Sequence, residues 1–548
     1  MDAPERARAQ FSAWRAAADD WFDPHLRSLL GFHEIPTRPL GAGIGDVEAL
    51  AAFARVCADE IDPLVKENNR DENLPVLRRY DAHGNRVEAI VHHPTYHEIG
   101  RRAYAPGAMT LYGAIGRERE AMARLYLFAQ NGEAGHACPM ACTAGLIKAL
   151  RAAGDPRPDW MERLVDPDYD RHYIGAQFLT EVQGGSDVGA NAVVATDLDD
   201  GSSRISGEKW FCSVIDADLF LMTARPTGAS GGTAGLRGYV VPRRLDDGSV
   251  NGFRIRRLKY KLGTRSMASA EVDFDGAWAV PIADFRTVLE EVIDTSRLLN
   301  AGCCGAILER VQREATAYAS TRTAFGRPIA AFPAVATVLA SLRTEAYAAR
   351  GLTFALAALG DRIAVGRASD PEKAAHRVLV NLNKLWTSLA CTAGVRSAIE
   401  VLGGNGAIEE FSALPRLLRD AIVLEAWEGG HNVLCSQVLK DCQRYGLHHA
   451  MFDWLAALGA PSVELDAIRA RWVSSLAGDA AEAAWVIRSL CEELRPIAQA
   501  AALTAESRHP GADPRLGVVI DQLVTTTRRG WDPLADRAAP DRVRAILA

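Results

Sequence analysis

The stretch RDAIVLEAWEGGHN, residues 419–432, sets one carboxylate, Glu428, between Trp427 and a glycine pair at the end of an almost wholly aliphatic run. A lone Glu most often stands as a solvated surface charge. An apolar surround, here Leu424, Ala426 and Trp427, would instead disfavour the charged form and make the acid a better proton acceptor. Other stretches offer polar turns and an open backbone. FLTEVQGGSDVGAN, 178–191, has adjacent glycines followed by Ser and Asp, a turn whose N–H groups and hydroxyls could face an anion such as a pyrophosphate, although such turns are common. GEKWFCSV places Phe211 and Ser213 two apart on one face of a strand, which suits the face and polar edge of a flat heteroaromatic ring as well as an ordinary core. KLGTRSMAS adds a Gly-Arg-Ser turn. STRTAFGRPI puts Arg322 and Arg327 around a Phe-Gly break, a possible diphosphate clamp, and EVLGGNGAIEE supplies a glycine turn that a ligand could approach closely.

The elements that must position these residues follow from periodicity. Residues 45 to about 150 read as helical, as in DVEALAAFARVCADEIDPLV, with apolar residues three and four apart. Short runs rich in Val, Ile, Phe and Tyr, separated by Gly and Asp turns, fill residues 173 to about 285 and predict an antiparallel β domain. Helical periodicity then returns to about residue 445, with breaks at GRPIAAFP, GDRIAVGRASDPEK and GGNGAIEEFSALP. The expected division is an N-terminal extension 1–44, a helical domain 45–172, a β domain 173–286, a helical bundle 287–445 and an extra helical domain 446–548.

With 548 residues the chain exceeds what one core usually serves, so size permits a buried cofactor. A net charge of -7 gives no whole-chain electrostatic case for nucleic acid. The N-terminus lacks the signature of a signal peptide, and no apolar run is long enough for a membrane span, so a cytoplasmic protein is expected. The ten cysteines lack zinc-like pairing; no metal site is expected, and reduced core thiols are.

Taken in order, these motifs resemble those of the acyl-CoA dehydrogenase flavoprotein family. The family's TEPxAGSD stands here as TEVQGGSD, its GxKxWITN as GEKWFCSV, its KLGxRxSxT as KLGTRSMAS, its RxxFGxxI as RTAFGRPI, its GGNGF as GGNGA, and its RDAxxxxIYEGT as RDAIVLEAWEGG. Within it the chain is most similar to the AidB-like branch, through LRRYDAHGNRVEAIVHHPTYHEI, AQNGEAGHACPM, the Trp-Phe of GEKWFCSV, Trp427 and the helical C-terminal addition. The resemblance implies an α+β, mostly α fold: an N-terminal helical domain, a middle antiparallel β-barrel domain and a C-terminal four-helix bundle, followed by the extra helical domain.

It also implies roles. FAD would be the cofactor, with Thr180 on the pyrimidine side of the flavin, Ser186 at the pyrophosphate, and Phe211 and Ser213 replacing the family's tryptophan and threonine beside the ring. Arg322 and Gly404 would meet the pyrophosphate of FAD held mainly by another subunit, implying a homo-oligomer, a tetramer in most relatives; Gly185, Phe325, Gly403, Trp427, Gly429 and Asn432 complete the cofactor set. Glu428 would remove the α-proton of an acyl-CoA thioester while the β-hydrogen leaves as hydride to the flavin, with the thioester oxygen held by the N–H of Glu428 and a ribityl hydroxyl. Arg297 would lie near CoA or the mouth of the site.

Some positions depart from the family. Pro333, Glu400 and Gly430 replace a glutamine, a glutamine and a threonine that contact FAD in relatives. Relatives that place the base one residue before the arginine of the second helical domain would use Ser296, which cannot serve; Glu425 is the nearest spare acid. Three activities remain in view: an acyl-CoA dehydrogenase passing electrons to an electron-transfer flavoprotein, an AidB-like protein binding DNA through its C-terminal domain, and an oxygen-using oxidase or monooxygenase. Residues 446–548 hold 11 arginines, no lysines and 13 acids, with only Arg528 and Arg529 adjacent, which argues against DNA.

Overall fold

The computed structural model describes residues 3–18, 21–33, 47–527, 530–532 and 534–548. Arg528, Arg529 and much of the expected 1–44 extension lie outside the described residues. In chain order the first helices are α1 (Ala3–Ala18), α2 (Pro24–Phe32), α3 (Val47–Val56) and α4 (Asp62–Asn68), followed by a hairpin of β1 (Val76–Tyr80) and β2 (Arg86–Val91). Helices α5 (Pro94–Tyr104), α6 (Ala108–Tyr112), α7 (Glu118–Ala129), α8 (Ala134–Ala152) and α9 (Pro158–Leu164) lead into the strands. These are β3 (Gly175–Phe178), β4 (Val194–Asp197), β5 (Ser203–Ser213), β6 (Leu219–Pro226), β7 (Arg237–Pro242), β8 (Phe253–Leu258) and β9 (Ser269–Asp284). A short α10 (Phe285–Thr287) and then α11 (Asp294–Thr321) return the chain to helix. A small hairpin, β10 (Thr323–Ala324) and β11 (Arg327–Pro328), precedes the long helices α12 (Pro333–Ala364) and α13 (Asp370–Leu402), then α14 (Leu414–Ala426) and α15 (His431–Tyr445). The last segment holds α16 (Leu447–Leu458), α17 (Ser462–Ala477), α18 (Ala480–Ser507), α19 (Leu516–Thr527) and α20 (Ala539–Leu547).

The chain forms two compact units. One comprises residues 61–114 and 133–299, the other 1–60, 115–132 and 300–548. In the first, β6 pairs with β4 and β7, β4 with β5, β5 with β9, and β9 with β7, so five strands close a ring; β3 adds to β6 and β8 to β9. Closure removes sheet edges, and the interior fills with Phe178, Phe220, Phe253 and Phe274, whose rings follow one another at 4.7, 5.6 and 6.3 Å between centroids. Most pairings are antiparallel, as expected, but β3–β6 and β4–β6 are parallel. Side-chain alternation has the same period in either sense, so the strand pattern in the sequence could not show this.

The second unit is built from long helices. Ser369 and Glu372 form a reciprocal capping box that starts α13, and Pro333 starts α12, where its missing N–H costs no bond. Leu414, Leu417, Ala421 and Leu424 give α14 one buried stripe at three- and four-residue spacing. The N-terminal extension packs onto its own chain: Trp14 is 2% exposed, donates from Nε1 to the carbonyl of Glu314 at 3.1 Å, and stacks on Phe411 at 5.0 Å. The C-terminal segment shares the bundle's core, with Tyr347 and Ala340 of α12 packed among Leu503, Leu516, Val519 and Ile546. Trp386 of α13 donates to the carbonyl of Cys491 of α18 at 2.9 Å. All ten cysteines are buried and in no disulfide, as expected of core thiols.

Candidate functional site

The residues expected to act fall into both units. In the barrel unit, Glu181 and Lys209 form a buried ion pair at 2.8 Å. Glu181 also accepts from the backbone N–H of Ala192 at 2.6 Å and from Gln183 at 2.7 Å. Burial alone would raise the Glu181 carboxyl, but Lys209 and these hydrogen bonds outweigh it and hold it below its ordinary value; burial lowers the Lys209 ammonium against the pull of Glu181. The pair therefore pins both ends of the 181–192 loop to β5. The carbonyl of Thr180 accepts from Trp210 N–H at 3.0 Å, which sets Thr180 beside the Trp210–Phe211 segment. Gly185 lies so close to Thr180 that a Cβ there would come within 2.6 Å of its hydroxyl, while Ser186 is exposed.

On β5, Cys212 is buried and its neighbours Phe211 and Ser213 project to the other face, as the alternation predicts. Phe211 is 36% exposed, unusual for an aromatic ring on a closed barrel. Ser213 Oγ lies 3.1 Å from Ser269 Oγ, which also receives Lys261 Nζ at 3.0 Å. Lys259 sits over the Trp210 ring at 3.7 Å and pairs with Glu271 at 2.8 Å. The KLGTRSMAS turn is held by Glu133, which accepts from Ser266 Oγ and caps α8 through Gly135 N–H at 2.8 Å. Arg297 is buried and pairs with Asp294 at 3.3 Å; Ser296 donates to Gln177 at 3.2 Å.

In the helical unit, α14 ends at Ala426 and the chain turns through Trp427, Glu428 and Gly429 into α15. Glu428 is half-buried with φ +55°, a left-handed backbone that residues with a Cβ rarely adopt. Its surround is less apolar than expected: Leu424 is buried, Trp427 half-buried and Ala426 exposed, because α14 turns only one stripe inward. Lys384, fully buried on α13, donates from Nζ to the carbonyls of Glu425 at 2.7 Å and Gly429 at 2.9 Å. Asn300 Nδ2 donates to the carbonyl of Leu424 at 3.3 Å. The other acid of this turn, Glu425, faces His431 at 3.9 Å, and Asn432 Oδ1 accepts from Arg488 of α18 at 2.9 Å.

The glycine turn 403–407 and the end of α11 are brought together. Asn405 Nδ2 donates to the Tyr318 hydroxyl at 3.2 Å, and the N–H of Arg322 bonds to the Tyr318 carbonyl at 2.8 Å. Gly403 has φ +62°, and a Cβ on Gly404 would meet nothing within 4 Å, so this backbone is open to a ligand; Arg322 is half-exposed. Arg327 instead stacks on Phe332 at 4.2 Å. Phe325 stands at the tip of the β10–β11 hairpin, 96% exposed with φ +52°. Glu400 is exposed, Pro333 begins α12, and Gly430 caps α15. Lys209, Tyr318, Asn405, Asn300 and Lys384 were not picked out from the sequence, since each acts through a partner distant along the chain.

Residues 45–171 match the adaptive response protein AidB N-terminal domain, 176–277 the acyl-CoA dehydrogenase middle domain, and 285–442 the acyl-CoA dehydrogenase C-terminal domain. The chain is 34% identical over 388 residues to the putative acyl-CoA dehydrogenase AidB of Escherichia coli strain K12, covering 67% of this chain and 69% of that one. The chain belongs to the acyl-CoA dehydrogenase family. It is also 30% identical over 409 residues to acyl-CoA dehydrogenase family member 11 of Caenorhabditis elegans, covering 71% of this chain and 66% of the relative. Among solved structures, the Bd2924 apo-form superposes with a TM-score of 0.80 at 26% identity, covering 88% of this chain and 97% of that one. Caenorhabditis elegans ACDH-11, solved in complex with C11-CoA, shares the fold with a TM-score of 0.83 at 24% identity, covering 96% and 94%. Acyl-CoA dehydrogenases are FAD-dependent oxidoreductases acting on CH–CH bonds, and that is this chain's class. Its residues suit the cofactor: Phe211 leaves its ring partly exposed two residues from the Ser213–Ser269 hydroxyl pair, and separately the Gly403–Gly404 backbone is open to close approach.

Proposed function

We propose that the chain catalyses α,β-dehydrogenation of an acyl-CoA thioester to the 2,3-enoyl-CoA, with Glu428 as the α-proton base. The observation that carries this reading is the placement of Glu428: a half-buried carboxylate in a left-handed turn whose two flanks are tied down by Lys384. A side chain held in a rarely populated backbone conformation is characteristic of functional turns. That Glu425 faces His431 and that Ser296 carries no carboxylate support Glu428 over these alternatives.

FAD, when bound, supplies the acceptor for the β-hydrogen as hydride. In this reading the cofactor-holding residues are Thr180, Gly185, Ser186, Phe211, Ser213, Phe325, Gly403, Trp427, Gly429 and Asn432, with Arg322 and Gly404 reaching the pyrophosphate of FAD held mainly by a neighbouring subunit. Glu428 takes the α-proton, and the electron pair of that C–H bond becomes the new C=C bond as the β-hydrogen departs. Phe211 excludes water from the face it covers, and Arg297 orients CoA. Electron-transfer flavoprotein is the proposed acceptor and a homotetramer the proposed assembly. DNA is left out because arginines of the last segment are engaged by acids, as in Arg469–Asp453, Arg471–Glu493, Arg515–Asp513 and Arg542–Asp536.

The test is anaerobic mixing of purified yellow protein with acyl-CoAs of graded length. Bleaching of the flavin by a thioester, lost in Glu428→Gln, is the expected result; no bleaching at any chain length overturns the proposal.

A further inference from the structure

The helix that delivers Glu428 ends in an unusual way. Its C-cap, Trp427, has φ −66° and ψ 148°, so α14 closes without the left-handed glycine that commonly satisfies the last carbonyls of a helix. Those carbonyls have no partner within the helix and carry the negative end of its dipole. Here they are satisfied by buried side chains from two other helices: Asn300 on Leu424, and Lys384 on Glu425. The same Lys384 ammonium reaches across to the carbonyl of Gly429. Glu425 and Gly429 bracket Glu428, so one cation closes the turn from both sides.

A buried ammonium is costly to keep out of water unless its hydrogen bonds are made, and Lys384 is fully buried in the middle of α13. A glycine cap would satisfy the helix end without burying a charge. What a glycine cap would not do is hold the next turn. Glu428 sits at φ +55°, so released from restraint its backbone would relax to an ordinary conformation and swing its Cα–Cβ bond elsewhere.

We propose that Lys384 is a positioning residue for the base: its ammonium clasps the carbonyls of Glu425 and Gly429 and thereby fixes the left-handed turn that aims the Glu428 carboxylate at the substrate α-carbon. This rests on the reading of Glu428 as base. Its role is positional: Lys384 sets the direction from which the carboxylate arrives, and small errors in that direction are expensive in rate.

The experiment uses the FAD-loaded full chain and two variants. Lys384→Met keeps the length and removes the donors; Lys384→Gln keeps a shorter donor. Folding is checked by thermal unfolding and flavin content. Amide hydrogen exchange is then followed in peptides covering 424–431. Activity is read in two ways, as the kcat and KM for acyl-CoA and as exchange into D2O of the α-protons of a 3-thia-acyl-CoA, which has no β-hydrogen to give.

In Lys384→Met, amide exchange at 424–431 is expected to quicken at least tenfold while the remaining helices keep their protection. The kcat and the α-proton exchange are expected to fall at least tenfold with KM within about twofold, and Lys384→Gln is expected to lie between. Folded Lys384→Met, or folded Lys384→Gln should the first fail to fold, with wild-type protection of the turn and wild-type α-proton exchange overturns the proposal. Glu428→Gln separates the two readings. If it leaves α-proton exchange intact, the base assignment falls, while amide exchange, which needs no catalysis, still decides whether Lys384 holds the turn.

Discussion

Glu181 and Lys209 lie 2.8 Å apart, both screened from water, and together anchor the 181–192 loop to the strand that carries Phe211. Removing one partner leaves the other charge buried and uncompensated. Lys209→Met should therefore destabilise the fold by about 3–5 kcal/mol. Because Glu181 is held below its ordinary value, its contribution is present above the unfolded carboxylate pKa and fades as pH falls through the lower folded value. Denaturant titrations of the wild type and of Lys209→Met, Glu181→Leu check both the single loss and its relief when the partner charge is removed too.

A second prediction concerns Glu428 itself. The left-handed backbone disfavours any side chain relative to glycine by about 1–2 kcal/mol. Glu428→Gly should thus be more stable than Glu428→Ala by about that amount, although both lack the base. Glu428→Gln should lower kcat by about 10²–10⁴ with little change in melting temperature. Equal stability of the Gly and Ala variants would contradict the turn geometry.

Phe211 separates cofactor from fold. Its ring is partly exposed on the barrel, so Phe211→Ala should cost the apoprotein only about 0.5 kcal/mol, in the range of surface substitutions. Flavin retention through gel filtration should fall, because the exposed ring is the surface on which the isoalloxazine is proposed to rest. A large loss of apoprotein stability would argue for a core role instead.

The buried cluster joining α2, α12 and α18 gives a pH dependence. Arg350 donates to His25 Nδ1, so Nε2 carries the hydrogen and donates to Glu506 at 3.1 Å; Ser28 donates to the other Glu506 oxygen at 3.2 Å. Burial, with Arg350 and Arg515 nearby, lowers His25 well below its ordinary value, so this contact is a neutral hydrogen bond rather than an ion pair. Burial pushes Glu506 up to about 8 against the opposing pull of Arg350. A raised acid binds its proton more tightly in the folded chain, so its contribution is full below the unfolded carboxylate pKa and is lost as pH rises towards 8. His25 acts oppositely but only up to its unfolded value of 6.5. Between pH 6.5 and 8 stability should decline by about 2 kcal/mol from this site, and Glu506→Gln should flatten the decline. Unfolding free energies measured across that interval provide the check.

Much of this protein was readable along the chain. The change of period from helix to strand and back marked the barrel, and the aliphatic run before Glu428 marked the buried stripe of α14. Phe211 and Ser213 do share a face, because strand alternation is local. The apolar pocket read around Glu428 was only partly right: nearest neighbours in sequence include exposed Ala426, since a helix end presents successive residues to different sides.

The sequence by itself determined the order of elements, the family motifs and the candidate base, because periodicity, turn residues and short motifs are carried by neighbours on one chain. Only the tertiary structure decided that the barrel closes through the parallel β4–β6 pairing with β3 added parallel to β6, that α1 covers its own bundle, and that Lys209, Tyr318 and Lys384 hold the loops on which those motifs sit. Each of these is a contact between residues far apart in the chain, and a lone lysine inside a helix carries no local mark of the carbonyls it will meet.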